Sequence, residues 1–332
     1  MAATKNPLQR FLSRTLGFTK GYNVALFLVL GGLTALFSAY RLPSISLSHF
    51  CTPGNSIPGE CFTYQFPGRH QTGIVLHLAS ILPASLLALL QFVPAIRRRA
   101  IAVHRYAGYA VWLLSFTGTA GIFMLLDKAA GGNWDTQAVV LSSMFLGATF
   151  RAYQTIRQLH IDQHRAWMLR AWVYAWCIVT MRPVFIASAI LVSKLGTFYS
   201  AQPCDKIEYI LATTRLQDPN VTLAGTFPEC AAYVSGANPA SMAVVNANLR
   251  GNIIEKTAAL NICFGTSTWI CLFLHAALVE VYLHYTSDED QRLKKVSHQK
   301  RLQAGLIKPA EVPAQVAASA AVEGLPEDKK TA

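Results

Sequence analysis

Six long apolar stretches, separated by polar and charged segments, dominate the pattern of the chain. Each stretch is long enough to cross roughly 30 Å of hydrocarbon as an α-helix, at about 1.5 Å of rise per residue. They predict membrane-spanning helices over approximately residues 22–40, 72–96, 106–126, 136–156, 166–193 and 257–285. The first stretch lacks a small-residue cleavage pattern at its end, so we interpret it as an uncleaved anchor.

The composition favours a membrane protein over a soluble domain. Of the 332 residues, 52% are hydrophobic and 14% are charged, whereas soluble domains contain about 25% charged residues. The formal net charge is +12, but the basic residues form short clusters between apolar stretches and no nucleic-acid recognition motif accompanies them. The composition therefore predicts the lipid bilayer as a partner and disfavours a nucleic acid.

The distribution of lysine and arginine among the connecting segments predicts an orientation. Residues 1–21, 95–105 and 151–165 carry four, four and three of these residues, against a single acid, Asp162. Basic residues in short connections remain on the cytosolic side of a membrane. We therefore expect both termini and the arginine-rich connectors to be cytosolic, in a plasma membrane or an endomembrane.

Cysteines and a glycosylation sequon agree with this orientation. Cys51 and Cys61 lie in one predicted non-cytosolic loop, and Cys204 and Cys230 lie in the other. One even pair in each loop is expected where disulfides persist. The sequon that begins at Asn220 lies in the second loop. The sequence thus predicts a glycoprotein with two disulfide bonds and a glycan on Asn220.

A cryptic repeat relates residues 96–112 to residues 156–172. Six positions agree without a gap, where unrelated segments of this length would agree at about one. The matched pairs are Ile96 and Ile156, Arg97 and Arg157, Ile101 and Ile161, His104 and His164, Arg105 and Arg165, and Trp112 and Trp172. The repeat predicts two helical hairpins of the same orientation, with both His-Arg pairs at the cytosolic surface.

These features predict an all-α, polytopic membrane protein with six transmembrane helices around a duplicated four-helix core. The long loop is large enough to form a small cap, and we expect the tail to be helical for its first few turns and then disordered. The predicted segments are a cytosolic N-terminus (1–21), an anchor (22–40), the core (72–193), a non-cytosolic loop (194–256), the sixth helix (257–285) and a cytosolic tail (286–332).

The two His-Arg pairs predict an anion at the cytosolic rim. Each pair lies in the first turn of an outgoing helix, where a cation opposes the helix dipole unless an anion is present. The anion is either a lipid phosphate or a bound ligand, such as a haem propionate or an amphiphilic substrate. The candidate anion-binding residues are Arg105, Arg165, Arg170 and Arg182.

Two of these arginines lie within the fifth predicted span. Counting residues places Arg182 near the bilayer midplane, where an arginine costs at least about 2.5 kcal/mol. We therefore expect Arg182 to face the bundle interior, on carbonyls freed by Pro183 or on a ligand. Glu280, nearer the cytosolic end of the last span, is the candidate partner of Arg170.

Histidines within the spans raise the hypothesis of a b-type haem, because histidine is an axial ligand of haem iron. On the outer side, His77 has no matching histidine, since the second hairpin has Gln137 at that place. The sequence therefore predicts at most one haem b, near the cytosolic face, and a structural role for each histidine is the alternative. The candidate ligands are His104, His160, His164 and His275.

Several segments resemble a family of predicted membrane proteins from fungi and bacteria that is catalogued as a domain of unknown function. The resemblance rests on Gly73–His77, Leu82–Ala84, Gln91–Pro94, His104–Tyr109 and Asp162–Arg170. The HRxxG and HxxWM elements of the bacterial relatives match His104, Arg105, Gly108, His164, Trp167 and Met168. The resemblance implies a four-helix core in a fungal protein and supplies no activity or cofactor.

Three functions are compatible with these observations. The first is a redox-active membrane protein with one haem b near the cytosolic face. The second is a protein that binds, transports or modifies an anionic lipid or hydrophobic metabolite within the membrane. The third is a membrane scaffold without chemistry. No metal-spaced cysteine and histidine set and no standard catalytic motif are present in the sequence.

Overall fold

The computed structural model describes residues 11, 14–18, 20–126, 136–213 and 222–308. The predicted glycosylation site Asn220 and the tail beyond residue 308 lie outside these ranges. The described chain is mainly helical, as its apolar pattern predicts. The long helices are α1 (Gly21–Ile45), α2 (Arg69–Gln91), α3 (Ile101–Phe123), α4 (Thr136–Arg157), α5 (Ile161–Leu195), α6 (Ile253–Tyr285) and α7 (Ser287–Gln303).

Helices α1 to α6 correspond to the six predicted spans. Within the described ranges, four of them, α1, α2, α5 and α6, are long and apolar enough to cross a membrane. Helices α3 and α4 have 23 and 22 residues and are not among these four. The spans are thus supported in four of six cases by length and composition.

The chain folds into two compact units. Unit 1 contains residues from Met1–Leu146 and Trp172–Ala277, and unit 2 contains residues from Gly147–Ala171 and Leu278–Ala332. Unit 1 therefore includes α1 to α3 and the long loop. Unit 2 includes the end of α4, the start of α5, the end of α6 and all of α7.

Helices α2 and α3 in unit 1 approach closely at glycines. A Cβ atom on Gly121 would lie 2.6 Å from the carbonyl oxygen of Gly73, so only a glycine fits there. The imidazole Nδ1 of His77 lies 2.8 Å from the carbonyl oxygen of Gly118. Small residues bring membrane helices together in this way. The isolated outer histidine of the sequence therefore holds α2 to α3.

The long loop forms a small cap that includes a two-stranded antiparallel sheet. Strand β1 (Tyr199–Pro203) pairs with β2 (Met242–Asn246), in which alternate residues Ala243 and Val245 are buried. The prediction of an all-α protein is therefore wrong for this segment, because its alternation of buried and exposed residues has the period of a strand. The helix Cys204–Thr213 follows β1.

Both predicted disulfides are confirmed. The Cys51–Cys61 bond closes the loop between α1 and α2, and the Cys204–Cys230 bond lies in the core of the cap. The two disulfide loops also touch, because the rings of Phe62 and Tyr209 lie 5.7 Å apart. Short helices complete these loops and the first connector: Leu47–Phe50, Glu60–Tyr64, Pro94–Arg99, Leu223–Thr226, Pro228–Cys230 and Ala231–Val234.

Helices α3 and α5 begin at matching positions of the repeat, Ile101 and Ile161. The break before α3 is at Ala100, which has an extended φ of −139°. The break before α5 follows Leu159, which adopts a left-handed φ of +59°. The two segments thus share a helix start and differ in the backbone that precedes it.

Candidate functional site

The two repeated histidines occupy the same position in their helices. The backbone N–H of His104 donates to the carbonyl of Ala100 over 3.1 Å, and that of His164 donates to the carbonyl of His160 over 2.9 Å. His104 belongs to unit 1 and His164 to unit 2. A pocket or haem that joins the two therefore remains a prediction. Arg105, beside His104, is exposed.

In unit 2, the start of α5 is joined to the end of α6 by two arginines. Arg170 donates to both carboxylate oxygens of Glu280, over 2.6 and 2.8 Å, which confirms the pairing predicted from the sequence. Arg165 donates to Thr286 Oγ1 over 3.2 Å, and its guanidinium lies 6.0 Å from the ring centre of Tyr282. The anion that balances Arg170 is thus supplied by the chain itself.

A third hydrogen-bonded contact, which the sequence did not indicate, joins α5 to α7. Ser297 Oγ accepts from the backbone N–H of Ile161 over 2.8 Å and donates to Asp162 Oδ1 over 2.6 Å. The hydroxyl therefore caps the first turn of α5, where backbone N–H groups lack partners within the helix. Asp162 is only 6% exposed, so this bond also compensates a buried carboxylate.

Two cavities in unit 2 are lined by polar and charged residues. One, of about 230 Å³, is lined by His160, Asp162, Lys294, Lys295, Ser297, His298 and Arg301. The other, of about 400 Å³, is lined by Arg151, Tyr153, Gln154, Thr155, Arg157, Gln158 and Gln163. His160, a candidate haem ligand, therefore lies in the smaller cavity among lysine, arginine and histidine side chains.

His275, another candidate haem ligand, is buried in a polar network of unit 1. Its Nδ1 lies 2.7 Å from the carbonyl oxygen of Val173, and its Nε2 lies 3.0 Å from Thr180 Oγ1. The ring stacks on Trp176, with centroids 5.6 Å apart, and Trp176 donates to Thr34 Oγ1 over 2.9 Å. With both ring nitrogens hydrogen-bonded, His275 does not fit the role of an iron ligand.

His164, another candidate haem ligand, contacts the neighbouring helix. Its Nδ1 lies 2.8 Å from the carbonyl oxygen of Ala152 on α4. A carbonyl contact at one ring nitrogen orients an imidazole, whether the ring serves structure or coordination. The haem hypothesis therefore rests on His104, His160 and His164, and nothing in their described contacts favours it.

Arg182 differs most from its expected position. The side chain is exposed rather than enclosed, and its guanidinium lies 5.7 Å from the ring centre of Phe37 on α1. It is also close enough to Arg41 and Glu60, which belong to the end of α1 and the first disulfide loop, to interact with their charges.

Glu60 lies close enough to Arg182 for its negative charge to act on the guanidinium. Its Oε2 accepts from the backbone N–H of Ile57 over 3.1 Å. Burial raises the pKa of Glu60, and the charges of Arg182, Arg41 and Lys206 lower it in part. Burial correspondingly lowers the pKa of Lys206, while Glu60 and Asp205 raise it. We call Arg41, Glu60, Arg182 and Lys206 the Glu60 cluster.

The Glu60 cluster could not be predicted from the sequence, because its members lie far apart along the chain. Arg41 Nη1 donates to the carbonyl of Asn55 over 2.7 Å, so this loop is folded against the end of α1. A Cβ atom on Gly59, whose φ is +78°, would lie 2.6 Å from Ile210 Cδ1. Folding of the two disulfide loops therefore brings Glu60 and Lys206 together.

Comparison with known proteins gives a family and a relative. Residues 74–202 match the family described as "Predicted membrane protein (DUF2306)", which confirms the resemblance to membrane proteins of unknown function. The chain is also similar to "Ava biosynthesis cluster protein G" of Aspergillus versicolor. The two are 24% identical over 324 residues, which cover 85% of this chain and 92% of that protein. No solved structure matches.

Proposed function

We propose that the protein binds an anionic, hydrophobic small molecule or lipid in the membrane and serves a biosynthetic pathway. The observation that carries this proposal is Arg182, an exposed cation on a helix long and apolar enough to cross a membrane. An arginine in hydrocarbon costs at least about 2.5 kcal/mol unless an anion or water compensates it. Phe37 beside the guanidinium offers an apolar surface to the same ligand.

The charge balance of the Glu60 cluster supports an anionic ligand. Three cations, Arg41, Arg182 and Lys206, act on Glu60, and Asp205 acts in addition on Lys206. The three cations still outnumber the two carboxylates, so one more anion would balance them. Arginine and lysine side chains near the edge of a bilayer bind phosphates and carboxylates. The ligand we propose therefore places its acidic group at this cluster and its apolar part along α1 and α5.

The biosynthetic role is supported by the similarity to the Aspergillus versicolor protein, whose name places it in a biosynthesis cluster. The similarity extends over most of both chains, including the membrane segments. A ligand with an acidic group and an apolar body has the chemistry of a membrane-associated metabolite.

We further propose six membrane spans around a duplicated four-helix core, with both termini cytosolic. The common helix starts at Ile101 and Ile161 support the duplication, and two disulfides in the predicted outer loops support the orientation. In a eukaryotic host, a glycosidase should shift the electrophoretic mobility of the protein, and the variant Asn220→Gln should lack that shift. A reactive cytosolic label on residue 220 would contradict the orientation.

Native mass spectrometry of the detergent-purified protein tests the ligand. We expect the wild-type protein to retain an acidic amphiphile and Arg182→Gln to lose it. Arg170→Gln is the matched control, because this arginine of the same helix is occupied by Glu280. Equal retention by both variants would contradict the role of Arg182. A Soret band in the purified protein would favour haem, and retention of nothing would favour a scaffold.

The pH dependence of retention offers a second test. Burial raises the pKa of Glu60 above its ordinary 4.5, so the carboxylate becomes neutral as the pH falls toward that raised value. The cluster then gains net positive charge, and retention of an anion should increase as the pH falls from neutrality toward that raised pKa. Glu60→Gln should retain more ligand at pH 7, and its retention should lack the pH dependence that titration of Glu60 causes. Weaker retention by Glu60→Gln would contradict an anionic ligand.

A further inference from the structure

The smaller cavity of unit 2 is surrounded by basic side chains. Lys294, Lys295, His298 and Arg301 come from α7, and His160 comes from the turn before α5. Asp162 is the one acid along its described lining, and its carboxylate is engaged by Ser297. The lining therefore presents a surplus of positive charge and hydrogen-bond donors.

The ion pairs of the chain leave part of this charge uncompensated. Lys294 Nζ lies 2.8 Å from Asp290 Oδ2, one turn earlier on α7, so that lysine has a partner. Within the described residues, Lys295 and Arg301 form no ion pair at 4.0 Å or less. An anion in the cavity would supply the missing charge, as carboxylates and phosphates do in basic pockets.

Two nitrogen atoms of the lining also lack hydrogen-bond partners. In the part of the chain that the structure describes, His298 Nε2 and Arg301 Nε are buried without an acceptor. Buried polar atoms without partners are uncommon in native proteins, because leaving such an atom without a hydrogen bond destabilises the fold. An acceptor that enters the cavity from outside would satisfy them.

We propose that this cavity binds a phosphomonoester group, carried either by a soluble metabolite or by a lipid headgroup. The volume of about 230 Å³ lies below the roughly 300–1,000 Å³ of pockets that enclose whole drug-sized ligands, so it suits a headgroup and not acyl chains. Phosphate oxygens accept from guanidinium, ammonium and imidazole donors together. This site shares no residue with the Glu60 cluster and does not depend on the function proposed there.

Titration of the full chain in detergent micelles tests the site and distinguishes the two sources. Inositol hexakisphosphate is the soluble probe, and dioctanoyl phosphatidylinositol 4-phosphate is the lipid probe, compared with dioctanoyl phosphatidylcholine. We expect one or both phosphomonoester probes to bind and phosphatidylcholine not to bind. Which probe binds more tightly identifies the source. Failure of both to bind would overturn the proposal.

Variants of α7 connect binding to the cavity. Arg301→Gln and Lys295→Gln should each weaken binding by roughly tenfold, the effect of losing one charge-assisted hydrogen bond. Lys300→Gln is the matched control on the same helix, since Lys300 is exposed and does not line the cavity. Lys295 is exposed as well, so its variant should fold even if Arg301→Gln does not. Equal affinities for the Lys295→Gln and Lys300→Gln proteins would overturn the proposal.

Discussion

The two repeated segments start their helices in the same way and are fixed in place by different means. In the first, helix α3 packs on α2 through Gly121 and Gly73, whose backbones are nearly in contact. In the second, helix α5 is held by two polar contacts: Ser297 donates to Asp162, and Arg170 donates to Glu280. The repeat therefore determines where a helix begins, and residues outside the repeated pattern determine what the helix binds to.

The aligned sequences explain this difference. Asp162 and Arg170 of the second segment correspond to Ala102 and Ala110 of the first, so the first segment lacks both polar ties. Its connector is held instead by Arg98, which donates to the carbonyl of Gly17 over 2.6 Å. Each connector thus contacts a different terminal region of the chain.

The largest loss of stability is expected from disrupting the glycine contact of α3, the helix that starts in the first segment. Gly121→Ala should destabilise the protein by about 3 kcal/mol, because the new methyl group overlaps the carbonyl of Gly73 and the helices must separate. Unfolding in mixed detergent and SDS, followed by tryptophan fluorescence, measures the change. Gly147→Ala is the control, since nothing lies within 4 Å of a Cβ atom there. A smaller loss of stability for Gly121→Ala than for Gly147→Ala would contradict the close packing of α2 and α3.

The next largest loss of stability is expected when the Ser297 cap of the second segment is removed. Ser297→Ala removes the donor to the buried Asp162 carboxylate and the acceptor of the Ile161 N–H, with an expected loss of about 2 kcal/mol. The same unfolding assay applies. Ser287→Ala, at an exposed position of the same helix, should change stability by less than about 0.5 kcal/mol. Similar values for the two serine variants would show that α5 does not depend on this cap.

The ion pair between Arg170 and Glu280 should contribute less to stability than the Ser297 cap does. In Arg170→Gln, the remaining Glu280 carboxylate, 53% exposed, is solvated by water, so the loss of stability should stay below about 1 kcal/mol. High salt should reduce the difference between wild type and variant, because it screens the wild-type pair. A loss as large as that of Ser297→Ala would indicate that the pair is dehydrated in the membrane.

The smallest effect is expected at the connector of the first segment. Arg98→Gln removes an exposed hydrogen bond to Gly17 and should change stability by no more than about 0.5 kcal/mol. Its effect should be local, as faster cleavage by trypsin after Lys20 at the start of α1. Arg99→Gln, also exposed, serves as the control. Equal cleavage rates for the two variants would show that Arg98 does not hold this segment.

Much of the fold was predictable because it depends on local composition. Apolar stretches located helices α1 to α6, and two cysteine pairs located both disulfides. The strands β1 and β2 were not predicted, because five-residue strands within a polar loop carry a weak alternating pattern. The Arg170 and Glu280 pair was predictable because both residues lie near the same end of apolar spans.

The sequence by itself determined that this protein contains apolar helices suited to a membrane, approximately where those helices lie and which cysteines pair. These features follow from residues close together in the chain or from a simple parity of cysteines. Only the tertiary structure brought Arg41, Glu60, Arg182 and Lys206 together and placed Ser297 against Asp162. Side chains from distant segments come into contact through loop folding and helix packing, and no local sequence pattern predicts such contacts.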